Sequence, residues 1–145
     1  MPEAPVPVLI KEAQKKIRAV FDARFAKEDL KDLRPAEGQV LCHIACHPGC
    51  TSAEIQEARR LCKASVSESL SILAERGYIE YASSPVDRRE KTIQITEKGL
   101  SYHRAASDAV QECHNLILSG INEEEQQALR ELLNRIIENS RKEEA

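Results

Sequence analysis

A chain of 145 residues with 41% hydrophobic and 31% charged side chains has room for one folded core with extensions. No apolar run approaches the roughly 20 residues that cross a bilayer, and the opening MPEAPVPVLIKEA lacks the basic start and long apolar run of a signal peptide, so a cytoplasmic protein with no membrane partner is expected. A net charge of −3 does not mark a nucleic-acid binder, and five cysteines, an odd number, point to free thiols.

Pro2, Pro5 and Pro7 make the first residues an extended arm. From 8 to 27, Ile10, Ala13, Ile17, Val20, Phe21 and Phe25 step by three and four, the period of an amphipathic helix. Residues 28–34 form a polar connector. Pro35 opens a second helix where its missing N–H costs little, Val40, Leu41, Ile44 and Ala45 give it a buried face, and His47-Pro48-Gly49 ends it. Thr51 and Glu54 are spaced as a capping box for a short third helix that carries Ile55 and Ala58 inward. Arg59-Arg60-Leu61-Cys62 is its exit and turn.

The fourth helix, 63–76, divides cleanly. At 100° per residue Val66, Leu70 and Leu73 share one side, while Ala64, Ser67, Glu68 and Ser71 share the other, with Ser65 at the edge. A small, polar outward face can approach base edges closely. Gly77 supplies a left-handed stop. Tyr78, Ile79 and Tyr81, then Thr92, Ile93 and Ile95, are β-prone; Ser83-Ser84-Pro85 breaks the first strand and Asp87-Arg88-Arg89 sits at the hairpin tip. Thr96-Glu97 reads as an N-cap with an acid in the first helical turn. The order predicts a mainly α fold with a small two- or three-stranded antiparallel wing, a winged helix-turn-helix.

Two more helices follow, from 97 to about 119 and after the capping box Asn122-Glu123-Glu124-Glu125. The last carries Leu129, Leu132, Leu133, Ile136 and Ile137 as an apolar stripe. With the first helix these make more apolar surface than a small reader domain needs, so helical dimerisation extensions at both ends are expected. The regions divide as 1–30, 31–96 and 97–145: arm and first dimerisation helix, reader, and dimerisation helices.

Ser65, Ser67, Glu68 and Ser71 are the candidate base contacts, and Arg59, Arg60 and Lys63 the candidate phosphate contacts. Between Ser52 and Lys98 eight basic side chains meet eight acidic ones, so DNA binding must rest on where charges sit, not on their sum.

Leu33-Arg34-Pro35-Ala36-Glu37, Thr51-x-x-Glu54-Ile55, Leu73-x-x-x-Gly77-Tyr78-Ile79, Pro85-x-Asp87-Arg88-Arg89 and Ile95-Thr96-Glu97-Lys98-Gly99 resemble the MarR family of transcriptional regulators, in its order and spacing over nearly the whole chain. The resemblance implies an obligate, triangular homodimer that presents one winged helix to each half of a palindromic operator. It implies a repressor released by a small phenolic or aromatic ligand, by thiol oxidation or by a metal. It also implies that Arg89 enters the minor groove, oriented by Asp87, with Arg88 beside them. Three positions depart from the family. Arg34 replaces the usual Thr N-cap, Gly38 stands where a bulky residue is common, and Glu68 stands where a basic one is frequent. An acid there can accept from cytosine N4 and repels phosphate, so an unusual operator is expected.

Cys42 and Cys46 lie one turn apart on one helical face, with His43 and His47 as a second pair about 100° away. Sulfur and imidazole at that spacing can hold a thiophilic metal, though one ion cannot easily take all four. Cys42, Cys46 and Cys50 are therefore candidates for redox or metal chemistry, against the commoner fate of cysteine as a small core residue. The family's peroxide sensors place their reactive Cys in the first helix, and no Cys precedes Cys42 here. Cys113, His103 and His114 fall in the fifth helix, with no ligand assigned. There is no glycine-rich phosphate loop and no meaningful Ser/His/Asp spacing, so neither an enzyme nor a resident cofactor is expected. The expected partners are operator DNA, a second copy and a small-molecule inducer. The rival readings are a winged helix that binds only proteins, and a thiol- or metal-responsive sensor.

Overall fold

A computed structural model of the chain describes residues 3–83 and 91–143. Along them run α1 (Val6–Lys27), α2 (Pro35–Cys46), α3 (Ser52–Arg59), α4 (Lys63–Glu75), β1 (Ile79–Ser83), β2 (Lys91–Ile95), α5 (Glu97–Ile117) and α6 (Glu123–Arg141). They fall into two compact units, Met1–Cys113 and His114–Ala145.

The caps read from the sequence are the ones the backbone uses. Thr51 Oγ1 accepts the Glu54 N–H at 3.3 Å while Glu54 accepts the Thr51 N–H, the reciprocal box that starts α3. Asn122 and Glu125 do the same for α6, at 2.8 and 3.0 Å. Thr96 Oγ1 accepts the Gly99 N–H at 3.1 Å and donates to the Gly77 carbonyl at 2.6 Å, so one hydroxyl starts α5 and fixes the end of α4. At α2 the box is one-sided. Glu37 accepts from the Arg34 N–H and guanidinium, but a guanidinium has no lone pair to return, so the N-cap is weaker, as the loss of Thr predicts.

The first unit is built on one core. Val40, Leu41 and Ile44 of α2, Ile55 of α3, Val66, Leu70 and Leu73 of α4, and Tyr78, Ile79 and Ile93 of the wing are all buried. Each fully buried aliphatic stabilises the fold by about 1.5–3 kcal/mol over its exposed state, which is enough to hold α4 firmly with α2 and α3 against it. Two details differ from expectation. Ala58 is exposed, because it lies in the last turn of α3, just before the reversal at Arg60, and Ile55 alone meets the core. The connector 28–34 is not wholly polar in role: Leu30 and Leu33 are 4% and 7% exposed, and the Tyr102 hydroxyl donates to the Leu30 carbonyl at 2.9 Å.

The wing pairs β1 and β2 antiparallel, with Ile79 opposite Ile95, Tyr81 opposite Ile93 and Ser83 opposite Lys91. Ser83 thus stays in the strand it was expected to break. Of a third strand only one bond remains among the described residues, the Ile93 N–H donating to the Cys50 carbonyl at 2.9 Å. The next residue, Thr51, is already capping α3, so the chain turns away after that contact.

Outside this core the apolar stripes stay uncovered in the single chain. On α1, Val6, Val8, Leu9 and Ile17 are exposed and no residue is buried. In the second unit Leu129, Leu132, Ile136 and Ile137 of α6 are exposed as well. Among the described residues no helix is long and apolar enough to cross a membrane.

Candidate nucleic-acid interface

The chain leaves α3 by a left-handed residue, Arg60 (φ 53°), whose N–H returns to the Gln56 carbonyl. α4 begins three residues on. Its inward side chains are those the spacing predicts, Val66, Leu70 and Leu73, with Ser69 also buried. Ala64, Ser65, Ser67, Glu68 and Ser71 all face solvent, and Arg59, Arg60 and Lys63 are exposed at the turn that precedes them. Seven expected site residues are thus exposed at the end of α3, at the turn and along α4: Arg59, Arg60, Lys63, Ser65, Ser67, Glu68 and Ser71. The hairpin tip with Asp87, Arg88 and Arg89, and Pro85 before it, lies outside the described residues.

An open groove runs along this face. Ser52 at the start of α3, Ser67 and Ser71 of α4, and Tyr81 and Lys91 of the wing line it, over a floor of Leu70 and Ile93. Lys91 lies with its ammonium 5.9 Å from the Tyr81 ring centroid, a cation held over an aromatic face at the rim. Lys91, Tyr81 and Ser52 were not among the expected site residues. The signal was present for Lys91, a cation paired across the wing, but only the register puts it beside the recognition helix.

Glu68 is not alone. An Arg34 guanidinium nitrogen lies 3.7 Å from its carboxylate, and the same side chain donates to the buried Glu37. Two of the three departures from the family pattern therefore face each other. Both groups are well exposed, so the pair contributes little to stability, at most about 1 kcal/mol; it changes the charge the helix presents. At the third departure, Gly38, a Cβ would meet nothing within 4 Å. No neighbour requires a glycine there.

The base of the wing is tied to the connector before α2. The Tyr78 hydroxyl donates to Asp32, and burial with that carboxylate beside it pushes its pKa well up. Arg76 pairs with Asp32 at 3.3 Å, and Lys98 lies 4.4 Å above the Tyr78 ring. Gly99, in the first turn of α5, comes against the Tyr78 carbonyl so closely that a Cβ would overlap it and would lie 2.6 Å from Ile95 Cγ1. That close approach gives the Thr-Glu-Lys-Gly stretch a physical reason: only glycine lets α5 start against the wing.

The cysteines separate into three kinds. Cys50 and Cys113 are buried, the packing fate expected of most free thiols; burial raises the Cys50 pKa, and Glu54 nearby adds to it. Cys42 and Cys46 face α5, where His103 joins them. Burial and then the Cys42 thiol raise the Cys46 pKa, so it is not poised as a nucleophile. Cys62, exposed as N-cap of α4, is pulled the other way by the Ser65 hydroxyl, 3.3 Å from its sulfur, and by the first amides of the helix. His43 and His47 stack on one another at 4.2 Å, and His47 Nδ1 bonds the His43 carbonyl at 3.0 Å. They pack together and take no part in the Cys42–Cys46 cluster. Burial, then the His47 ring, lowers the His43 pKa from 6.5.

Comparison with known proteins agrees with this fold. A family model described as the MarR family matches residues 31–90. An uncharacterized helix-turn-helix transcriptional regulator of Bacillus cereus is 31% identical over 124 residues, covering 83% of this chain and 82% of that protein. Among solved structures, a mutant MarR from Escherichia coli complexed with operator DNA superposes with a TM-score of 0.73 at 22% identity, covering 91% of this chain and 93% of that one. Bordetella bronchiseptica BpsR, whose DNA binding is regulated by 6-hydroxynicotinic acid, superposes with a TM-score of 0.72 at 21% identity over 94% and 97%.

Proposed function

Because this chain belongs to the MarR family of helix-turn-helix transcriptional regulators, we propose that it is a repressor that grips a palindromic operator as a homodimer and lets go when a small ligand binds. The observation that carries the reading is the outward face of α4, where Ser65, Ser67, Glu68 and Ser71 are exposed beside a groove lined by Ser67, Ser71 and Lys91.

In this reading α4 lies in the major groove. Ser65, Ser67 and Ser71 offer short donors and acceptors to base edges, and Glu68 accepts from a cytosine amine. Arg34 beside it offsets part of the repulsion that carboxylate exerts on the phosphates. Lys63, Arg59, Arg60 and Lys91 meet the backbone, where contacts position and do not specify. By the family's example Arg89, oriented by Asp87 and with Arg88 beside them, enters the minor groove, which an arginine reads by its width. The exposed stripes of α1 and α6 are the surfaces that a second copy covers, and two copies match the two halves of a palindrome. Release by a small molecule follows the example of BpsR. The residues that would hold one here are not assigned.

The near-neutral reader supports one other reading, a winged helix that binds protein instead of DNA. Base preference separates the two. Glu68→Ala, assayed against a library of half-sites, is expected to change the preferred base at one position of the half-site. An unchanged preference at every base would remove Glu68 from the interface. Lys63→Ala is expected to weaken binding to all sequences alike and to flatten the salt slope by about one unit.

A further inference from the structure

Cys42 and Cys46 stand one turn apart on α2, and His103 reaches them from α5. The two sulfurs and one ring nitrogen of the imidazole all lie within 4.8 Å of one another. His103 is 57 or more positions from either cysteine in sequence and meets them only because α2 and α5 are neighbours. Cys42 and His103 are half-buried, and Cys46 is exposed, so the cluster has a wall on one side and access to solvent on the other. None of the three is in the reader core or on the face assigned to DNA.

We propose that Cys42, Cys46 and His103 form a binding site for a thiophilic cation of the zinc class. Two thiolates and one imidazole are the donors such an ion prefers, and oxygen-seeking magnesium or calcium would not select them. A tetrahedral zinc ion with two sulfur ligands holds them about 3.8 Å apart. From 4.8 Å the three side chains need close by only about 1 Å, which side-chain rotation supplies without moving either helix. Binding replaces the two thiol protons, which leave to solvent. The protein fills three positions, and the fourth faces the open side, where water completes the shell. Such a site exchanges its ion more readily than a closed four-ligand one. Occupied, it fastens α2, which packs on α4, to α5. The site does not depend on the DNA reading, and its test needs no DNA.

The experiment is a titration of the reduced full-length protein with Co2+ as spectroscopic probe, followed by displacement with Zn2+. One equivalent of Co2+ per chain is expected to give thiolate-to-metal charge-transfer absorption and the strong visible bands of a tetrahedral site, both abolished by Zn2+. The double variant Cys42→Ser/Cys46→Ser is expected to lose the charge-transfer band. His103→Ala is expected to weaken binding more than about tenfold, since even an outer-shell change costs that much. Cys62→Ser, outside the cluster, is expected to bind as the parent does. Circular dichroism checks that each variant is folded. If one is not, X-ray absorption of the zinc-loaded parent reads the ligands directly, with two sulfurs and a histidine nitrogen expected. Absence of the thiolate band in the parent, its survival in the double variant, unchanged affinity in His103→Ala, or an all-oxygen and nitrogen shell would each overturn the proposal.

Discussion

Gly99 shows how much one residue decides. Its missing Cβ lets α5 begin against the Tyr78 carbonyl and Ile95, while Thr96, three residues earlier, caps the helix and holds the end of α4. The obstacle is backbone, which cannot swing aside as a side chain can. Gly99→Ala is therefore expected to destabilise the protein by about 1–3 kcal/mol, the usual cost of overpacking, read as a lower denaturation midpoint; an unchanged midpoint would mean the approach is looser than it stands. His43 gives the pH dependence. Its folded pKa is lowered from 6.5, mostly by burial and then by the stacked His47 ring, with Arg59 pushing the same way and Glu54 opposing. Protons then bind the unfolded chain more readily than the folded one, so stability is full above about pH 6.5 and falls as pH drops below it. Comparing unfolding at pH 7.5 and pH 5.5, His43→Asn should lose less stability on acidification than the parent. Equal losses would assign the acid sensitivity to other groups.

At the scale of elements, legibility followed distance along the chain. The capping boxes at Thr51 and Asn122, the stop at Gly77 and the two faces of α4 are local patterns, and each was readable from a few adjacent residues. What was missed needs a partner from elsewhere. Leu30 and Leu33 looked like punctuation in a polar connector until Tyr102 and the core closed over them. The Cys42 and Cys46 pair was legible as a helical face, but His103 was not, because only the packing of α5 brings it there. Lys91 joined the reader through strand register alone. The thiol ranking was missed although its cause is local, the Ser65 hydroxyl and the first amides of α4. Sequence pointed to Cys42, Cys46 and Cys50, whereas the one thiol with its pKa pulled down by its surroundings is Cys62, at the start of the recognition helix. Timed alkylation of the native, metal-free protein, followed by peptide mapping, should label Cys62 first and the buried Cys50 and Cys113 last. Labelling of Cys50 as fast as Cys62 would contradict that order.

For the whole molecule the decisive feature is what a single chain leaves uncovered. α6 keeps Leu129, Leu132, Ile136 and Ile137 in solvent, and α1 adds Val6, Val8, Leu9 and Ile17. Apolar stripes of that length are a liability unless something covers them. If that is a second copy, Leu132→Asp should convert a dimer into a monomer in sedimentation while leaving the reader folded; a variant that sediments as the parent does would exclude α6 from the interface. Whether this protein regulates through DNA is decided by titrating it onto its own upstream DNA at increasing salt. An operator-binding dimer binds tightly and saturates at one dimer per site, with affinity falling steeply and linearly on a log–log plot against salt. Weak binding, equal on every promoter tried and nearly indifferent to salt, would contradict it.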